Sequence, residues 1–112
     1  MLFAFGINHK TAPIEVREKL YIHESEIPDL LTKLKETLLE CVILSTCNRT
    51  EIYGVCGSAD VDLDFYKDLV IKFKNAEEIV TKEHFLLQSR VVIAMDTVGE
   101  FTVRDLSFSK NL

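Results

Sequence analysis

Ser45-Thr46-Cys47-Asn48-Arg49-Thr50-Glu51-Ile52-Tyr53 sets one thiol among small polar side chains, with an arginine two residues further on. The thiolate is the nucleophilic form of cysteine, and a cation folded back by a turn stabilises that negative charge. Residue types and spacing here point to covalent, nucleophilic chemistry at Cys47, supported by Arg49. The competing reading is a small buried structural cysteine, which protein cores use often. Cys41 and Cys56 fit that second reading, since each belongs to a strand-like run.

A reactive side chain has to be held and reached at once, and the end of a strand does both. The apolar run Cys41-Val42-Ile43-Leu44 makes residues 40–45 a buried strand, and residues 51–56 read as the next one. An antiparallel hairpin joined by the Cys47 segment is the economical arrangement. With Asn48 and Arg49 as a two-residue turn, Cys41 comes opposite Cys56 and Cys47 is left free.

Residues 2–7 form a first strand, apolar throughout and so buried on both faces. Residues 8–13 are a polar loop, and Pro13 suits the start of a short helix over residues 14–20. A second helix is expected over residues 25–39, with Pro28 in its first turn. Its apolar stripe is Ile27, Leu30, Leu31, Leu34 and Leu38. Val61, Phe65, Leu69 and Phe73 give the apolar face of a third helix, with Asp62 and Asp64 in its first turn. Residues 76–87 read as helical and residues 90–95 as a strand. Residues 101–106 alternate like a half-exposed strand, with a turn at 96–100. This order predicts an α+β ferredoxin-like sandwich, an antiparallel four-stranded sheet packed against helices, with residues 1–112 as a single domain.

Composition bounds the partners. At 112 residues and 47% hydrophobic, the chain can bury a core. No apolar run has the length of a membrane-spanning helix, and the first residues lack a signal-peptide pattern. Three cysteines without a Cys-x-x-Cys pair argue against a disulfide framework or a zinc site, so a cytoplasmic location is the default. A net charge of −5 disfavours tight binding to nucleic acid. His9, Lys10, Arg17, Lys19 and Arg49 nonetheless leave room for a local basic rim on an acidic body.

The Cys47 segment is similar to the nucleophile motif of glutamyl-tRNA reductases. Gly6-Ile7-Asn8-His9-Lys10-Thr11-Ala12-Pro13, followed by Val16-Arg17-Glu18-Lys19-Leu20, resembles that family's opening signature. The likeness is close over residues 1–53, continues to about residue 85 and fades beyond. It implies the ferredoxin-like fold and, for Cys47, attack on the ester joining glutamate to tRNA. The resulting glutamyl thioester is reduced in that family by NADPH to glutamate-1-semialdehyde, a precursor of tetrapyrroles through 5-aminolevulinate. The resemblance further implies that Arg49 contacts the substrate carboxylate, with Thr46, Asn48 and Asn8 lining the substrate pocket. Thr46 and Asn48 have an equal alternative use in capping the turn. His84 is the counterpart of a histidine serving proton transfer.

Family members also carry an NADPH-binding Rossmann domain and a long dimerisation helix. With four glycines and no Gly-x-Gly-x-x-Gly, this chain is expected to bind no nicotinamide cofactor, to lack that helix and not to complete the reduction alone. The alternative from another class is a non-catalytic module that binds glutamyl-tRNA or a reductase subunit.

Overall fold

The computed structural model describes residues 1–57, 61–85, 87–95, 101–105 and 108–109. Strand β1 (Leu2–Asn8) is central in the sheet, flanked on one side by β3 (Arg49–Val55) and then β2 (Glu40–Ser45). On its other side lies β4 (Leu87–Met95), followed by β5 (Phe101–Asp105), while the short β6 (Phe108–Ser109) also pairs with β4. These pairings are all antiparallel. The protein is thus α+β, but the sheet is not four-stranded, because β5 and β6 return along β4 and widen it. The expected turns at 58–60 and 96–100 lie outside the described residues.

Alternation along β1 and β3 decides which face packs. Phe3, Phe5, Ile7, Thr50 and Ile52 are buried beneath the helices, and Phe3 stacks on Tyr66 at 5.2 Å between ring centroids. Leu2 and Ala4, on the opposite face, are only half-buried, and Val42 and Tyr53 beside them are 58% and 37% exposed. β1 is therefore not buried on both faces as its apolar run suggests. Helices α1 (Ile14–Leu20), α2 (Ile27–Leu34) and α3 (Leu63–Phe73) bury their apolar residues in a core shared with Phe3, Phe5 and Ile52.

Three local expectations change. α2 is preceded by a 3₁₀ turn at Glu24–Glu26 and stops at Leu34, short of residue 39, although Leu38 still reaches the core. α3 buries Leu63, Tyr66, Lys67, Val70 and Ile71, while Phe65 is 49% exposed. Both residue sets have helical spacing; Asp62, capping the N–H groups of Asp64 and Phe65, sets the start of the helix. Among the described residues of 76–87 the one helical piece is the 3₁₀ turn Lys82–His84. Asn75, at φ 51°, ends α3 with Asn75 N–H donating to Lys72 O and Ala76 N–H to Ile71 O, both at 3.0 Å.

Candidate active site

Cys47 sits at the tip of the β2–β3 hairpin. Ser45 pairs with Thr50, and Thr46 N–H donates to Arg49 O at 2.7 Å, leaving only Cys47 and Asn48 in the turn. The turn falls one residue earlier than the sequence suggests, so Cys41 pairs with Gly54 and not with Cys56. The Thr46 hydroxyl accepts the backbone N–H groups of Asn48 and Arg49, each at 3.3 Å. That hydroxyl shapes the turn, a local use of threonine that competes with any contact to a ligand.

A hydrogen-bonded strap fixes the base of the hairpin. The buried Thr50 hydroxyl donates to Leu20 O at 3.4 Å and lies 3.0 Å from Ser45 Oγ. A hydroxyl has one proton, so Ser45 is the donor to Thr50. Ser45 Oγ in turn accepts the Ile22 N–H at 2.9 Å. The segment after α1 is thereby tied to the strands that carry the thiol, and Tyr21 and His23, on either side of Ile22, are set beside Cys47.

The exposed Cys47 opens on a shallow cavity of about 340 Å³ lined by Ile14, Arg17, Glu18, Tyr21 and His23. The Tyr21 and His23 rings meet edge to face at 4.8 Å. His23 N–H donates to Glu26 Oε1 at 2.9 Å, and the same oxygen accepts Lys74 Nζ at 2.7 Å. The hydrogen bond from Lys74, reinforced by that from His23, holds the Glu26 carboxyl below the usual range. Arg17 Nε is buried in the cavity wall with no hydrogen-bond partner among the described residues.

The other residues singled out by the sequence are placed around this cavity and not in its lining. Arg49 shares the open face of β3 with Glu51 and Tyr53, its Nε 3.4 Å from Glu51 Oε1. The Tyr53 hydroxyl donates to Glu51 Oε2 at 3.3 Å; burial and the neighbouring Glu51 charge raise that phenol above its ordinary pKa. Asn8 pairs with Arg49 in the ladder, but its Oδ1 accepts the N–H groups of Lys10 at 2.8 Å and Thr11 at 3.0 Å. Its amide NH₂ is what remains to offer a ligand.

His84 ends a 3₁₀ turn and accepts the Thr81 N–H on Nδ1 at 3.0 Å. β3 and β4 both run antiparallel to β1, so His84 lies at the same end of the sheet as Cys47. The two strands are separated by two strand spacings, about 10 Å. Among the described residues, no group of three or more His, Cys, Asp or Glu is placed to hold a metal ion.

Reasoning from the sequence missed Arg17, Glu18, Tyr21 and His23 as cavity residues. A signal was present, since 14, 17, 18 and 21 are one helical stripe opposite the buried Val16 and Leu20. The stripe carries charged residues, so apolar periodicity does not mark it.

The chain is thus an α+β domain that presents an exposed thiol beside a small cavity. Residues 5–97 match the family "Glutamyl-tRNAGlu reductase, N-terminal domain", and the chain belongs to it. It is 43% identical over 86 residues to a glutamyl-tRNA reductase of Chlorobaculum parvum and 45% identical over 86 residues to that of Chloroherpeton thalassium. Each match covers 75% of this chain and 20% of the relative, so the chain spans about a fifth of the length of these proteins.

Proposed function

We propose that this chain is the glutamate-accepting part of a glutamyl-tRNA reductase in tetrapyrrole synthesis, a single ferredoxin-like domain working in the cytoplasm. The observation that carries this reading is the exposed Cys47 on a strapped two-residue turn, opening on a cavity that also meets Arg17, Glu18 and His23, within a chain of this family. The Cys47 sulfur forms a bond to the carbonyl carbon of the glutamyl ester. The ester C–O bond breaks, and the tRNA hydroxyl leaves with a proton in exchange for the one the thiol gives up. His23 shares the cavity with the thiol and is better placed than His84 to pass that proton. Asn48, beside the thiol, faces the developing oxyanion, Thr46 holds the turn, and Asn8 offers its amide at the rim. Arg49, which closes the turn with Thr46, is the residue that holds the side-chain carboxylate of the glutamyl group in this reading.

The residues present do not suit a nicotinamide dinucleotide. Such a ligand takes a parallel βαβ unit with a glycine-rich turn, whereas the described strands pair antiparallel. In this reading the site of the hydride donor is assigned to none of the described residues.

Intact-mass measurement after brief incubation with glutamyl-tRNA, without NADPH, tests the reading. A gain of one glutamyl group on the wild type and none on Cys47→Ser is expected. No gain on the wild type under rapid quench would turn the assignment toward a non-catalytic module that binds glutamyl-tRNA or a reductase subunit.

A further inference from the structure

Strand β2 ends the sheet on one side, and the phase of its backbone follows from the ladder beside it. The Met1 ammonium donates to Cys56 O at 2.9 Å while Cys56 N–H donates to Met1 O at 2.8 Å. Antiparallel ladders alternate, so even-numbered residues of β3 turn their backbone groups to β1 and odd-numbered ones to β2. Thr46 N–H donating to Arg49 O fixes the matching phase on β2. Val42 and Leu44 therefore bond to β3, and Cys41, Ile43 and Ser45 turn their N–H and C=O groups away from the sheet. Among the described residues β3 is the one strand paired with β2. Cys41 N–H is held at 3.2 Å by the Glu40 carboxylate, and that exposed side chain is free to swing off.

Folded proteins guard an open edge with lysine, proline, a bulge or a covering segment. Residues 41–45 hold no lysine or proline, and their register with β3 runs without a bulge. The run is Cys-Val-Ile-Leu-Ser, with Val42 58% exposed and Ile43 and Leu44 half-buried. We propose that two copies of this chain pair through β2, antiparallel about a two-fold axis at Ile43, so that their sheets join into one. Ile43 then exchanges both backbone hydrogen bonds with Ile43 of the second copy, and Cys41 stands opposite Ser45. On the open face Val42 of each copy lies against Leu44 of the other, which covers the exposed valine. Apolar cross-strand pairs of this kind are what stabilises a sheet. On the helix side the two Ile43 side chains, each already packed against its own core, meet at the axis. Residues 41–45 carry no charge, so the register sets no like charges opposite one another. This match of the strand to itself is what selects a second copy over an unrelated extended segment. Five residues a side make less than a standard interface, so the pair is weak and forms at high concentration. Nothing in it depends on the chemistry of Cys47.

Sedimentation velocity of the full chain under reducing conditions, from about 10 μM to about 1 mM, tests the proposal. The mass is expected to rise from one chain toward two, and Val42→Lys, an exposed change that places a charge on the edge, is expected to stay at one chain throughout with its urea midpoint unmoved. The register is read separately by oxidising a mixture of Val42→Cys and Leu44→Cys, each combined with Cys47→Ser to remove the exposed thiol. Residues 42 and 44 of opposite copies form the closer type of antiparallel pair, about 4.5 Å between Cα atoms, which a disulfide spans. An intermolecular disulfide joining one of each variant is expected by intact mass, with none in either variant alone. A wild type that stays one chain at about 1 mM, leaving the edge to a strand of some other protein, overturns the proposal. So does a dimer that survives Val42→Lys, or one whose mixed variants do not cross-link, since the contact then lies elsewhere.

Discussion

A thiol at the tip of a two-residue turn is useful only while the turn stands, and the Thr46 hydroxyl keeps it standing through two backbone N–H groups. Thr46→Val should therefore lower stability by about 1–2 kcal/mol in urea unfolding. Cys47→Ser, at an exposed position, should shift the same midpoint by less than about 0.5 kcal/mol while abolishing any acyl adduct. The exposed position of Cys47 was legible in the sequence because its neighbours are unusual for a core cysteine. Arg17 and His23 were not, since their place beside the thiol follows from the strap that joins Ile22 to Ser45, 23 residues apart in the chain. Spacing along one segment carries no record of such a contact.

The elements act through their junctions. Thr50→Val keeps the shape of the side chain but leaves Ser45 without its acceptor and Leu20 O without its donor. A loss of about 1–3 kcal/mol is expected, read by urea unfolding, with slower acylation of Cys47 as the segment after α1 drifts from the hairpin. In β1, a β-carbon added at Gly6 would meet the Thr50 carbonyl oxygen at 2.5 Å, a backbone atom with nowhere to go. Gly6→Ala should cost about 1–3 kcal/mol through the strain it forces on the β1–β3 ladder, again measured by urea unfolding. The extents of β1, α1 and β2 were readable from apolar runs and Pro13. The buried face of α3 was not, because residues 63, 66, 67, 70 and residues 61, 65, 69, 73 are both helical series. The hairpin turn lies one residue earlier than expected, moving each partner by two residues, since alternation alone does not say where Thr46 will cap the turn.

Across the whole molecule, the ion pair of Glu26 with Lys74 ties the turn before α2 to the end of α3, 48 residues apart in the chain. The folded Glu26 carboxyl titrates below its ordinary 4.5. Its contribution is present above that value and is lost as pH falls through the lower folded pKa. The drop in urea midpoint between neutral pH and about pH 3.5 should be smaller in Glu26→Gln than in the wild type. The α+β class and the strand over residues 101–106 were accessible from the sequence, but β6 was not, because two residues are too short a run to show alternation.

The shortness of the hairpin bears on traffic. Two residues between the hydrogen-bonded Thr46 and Arg49 leave the thiol no slack to swing. On the function proposed above, a group loaded there would stay at a fixed berth, unlike cargo on a flexible carrier arm. Each later participant has to come to it, and the order of events is set by who can dock at that tip.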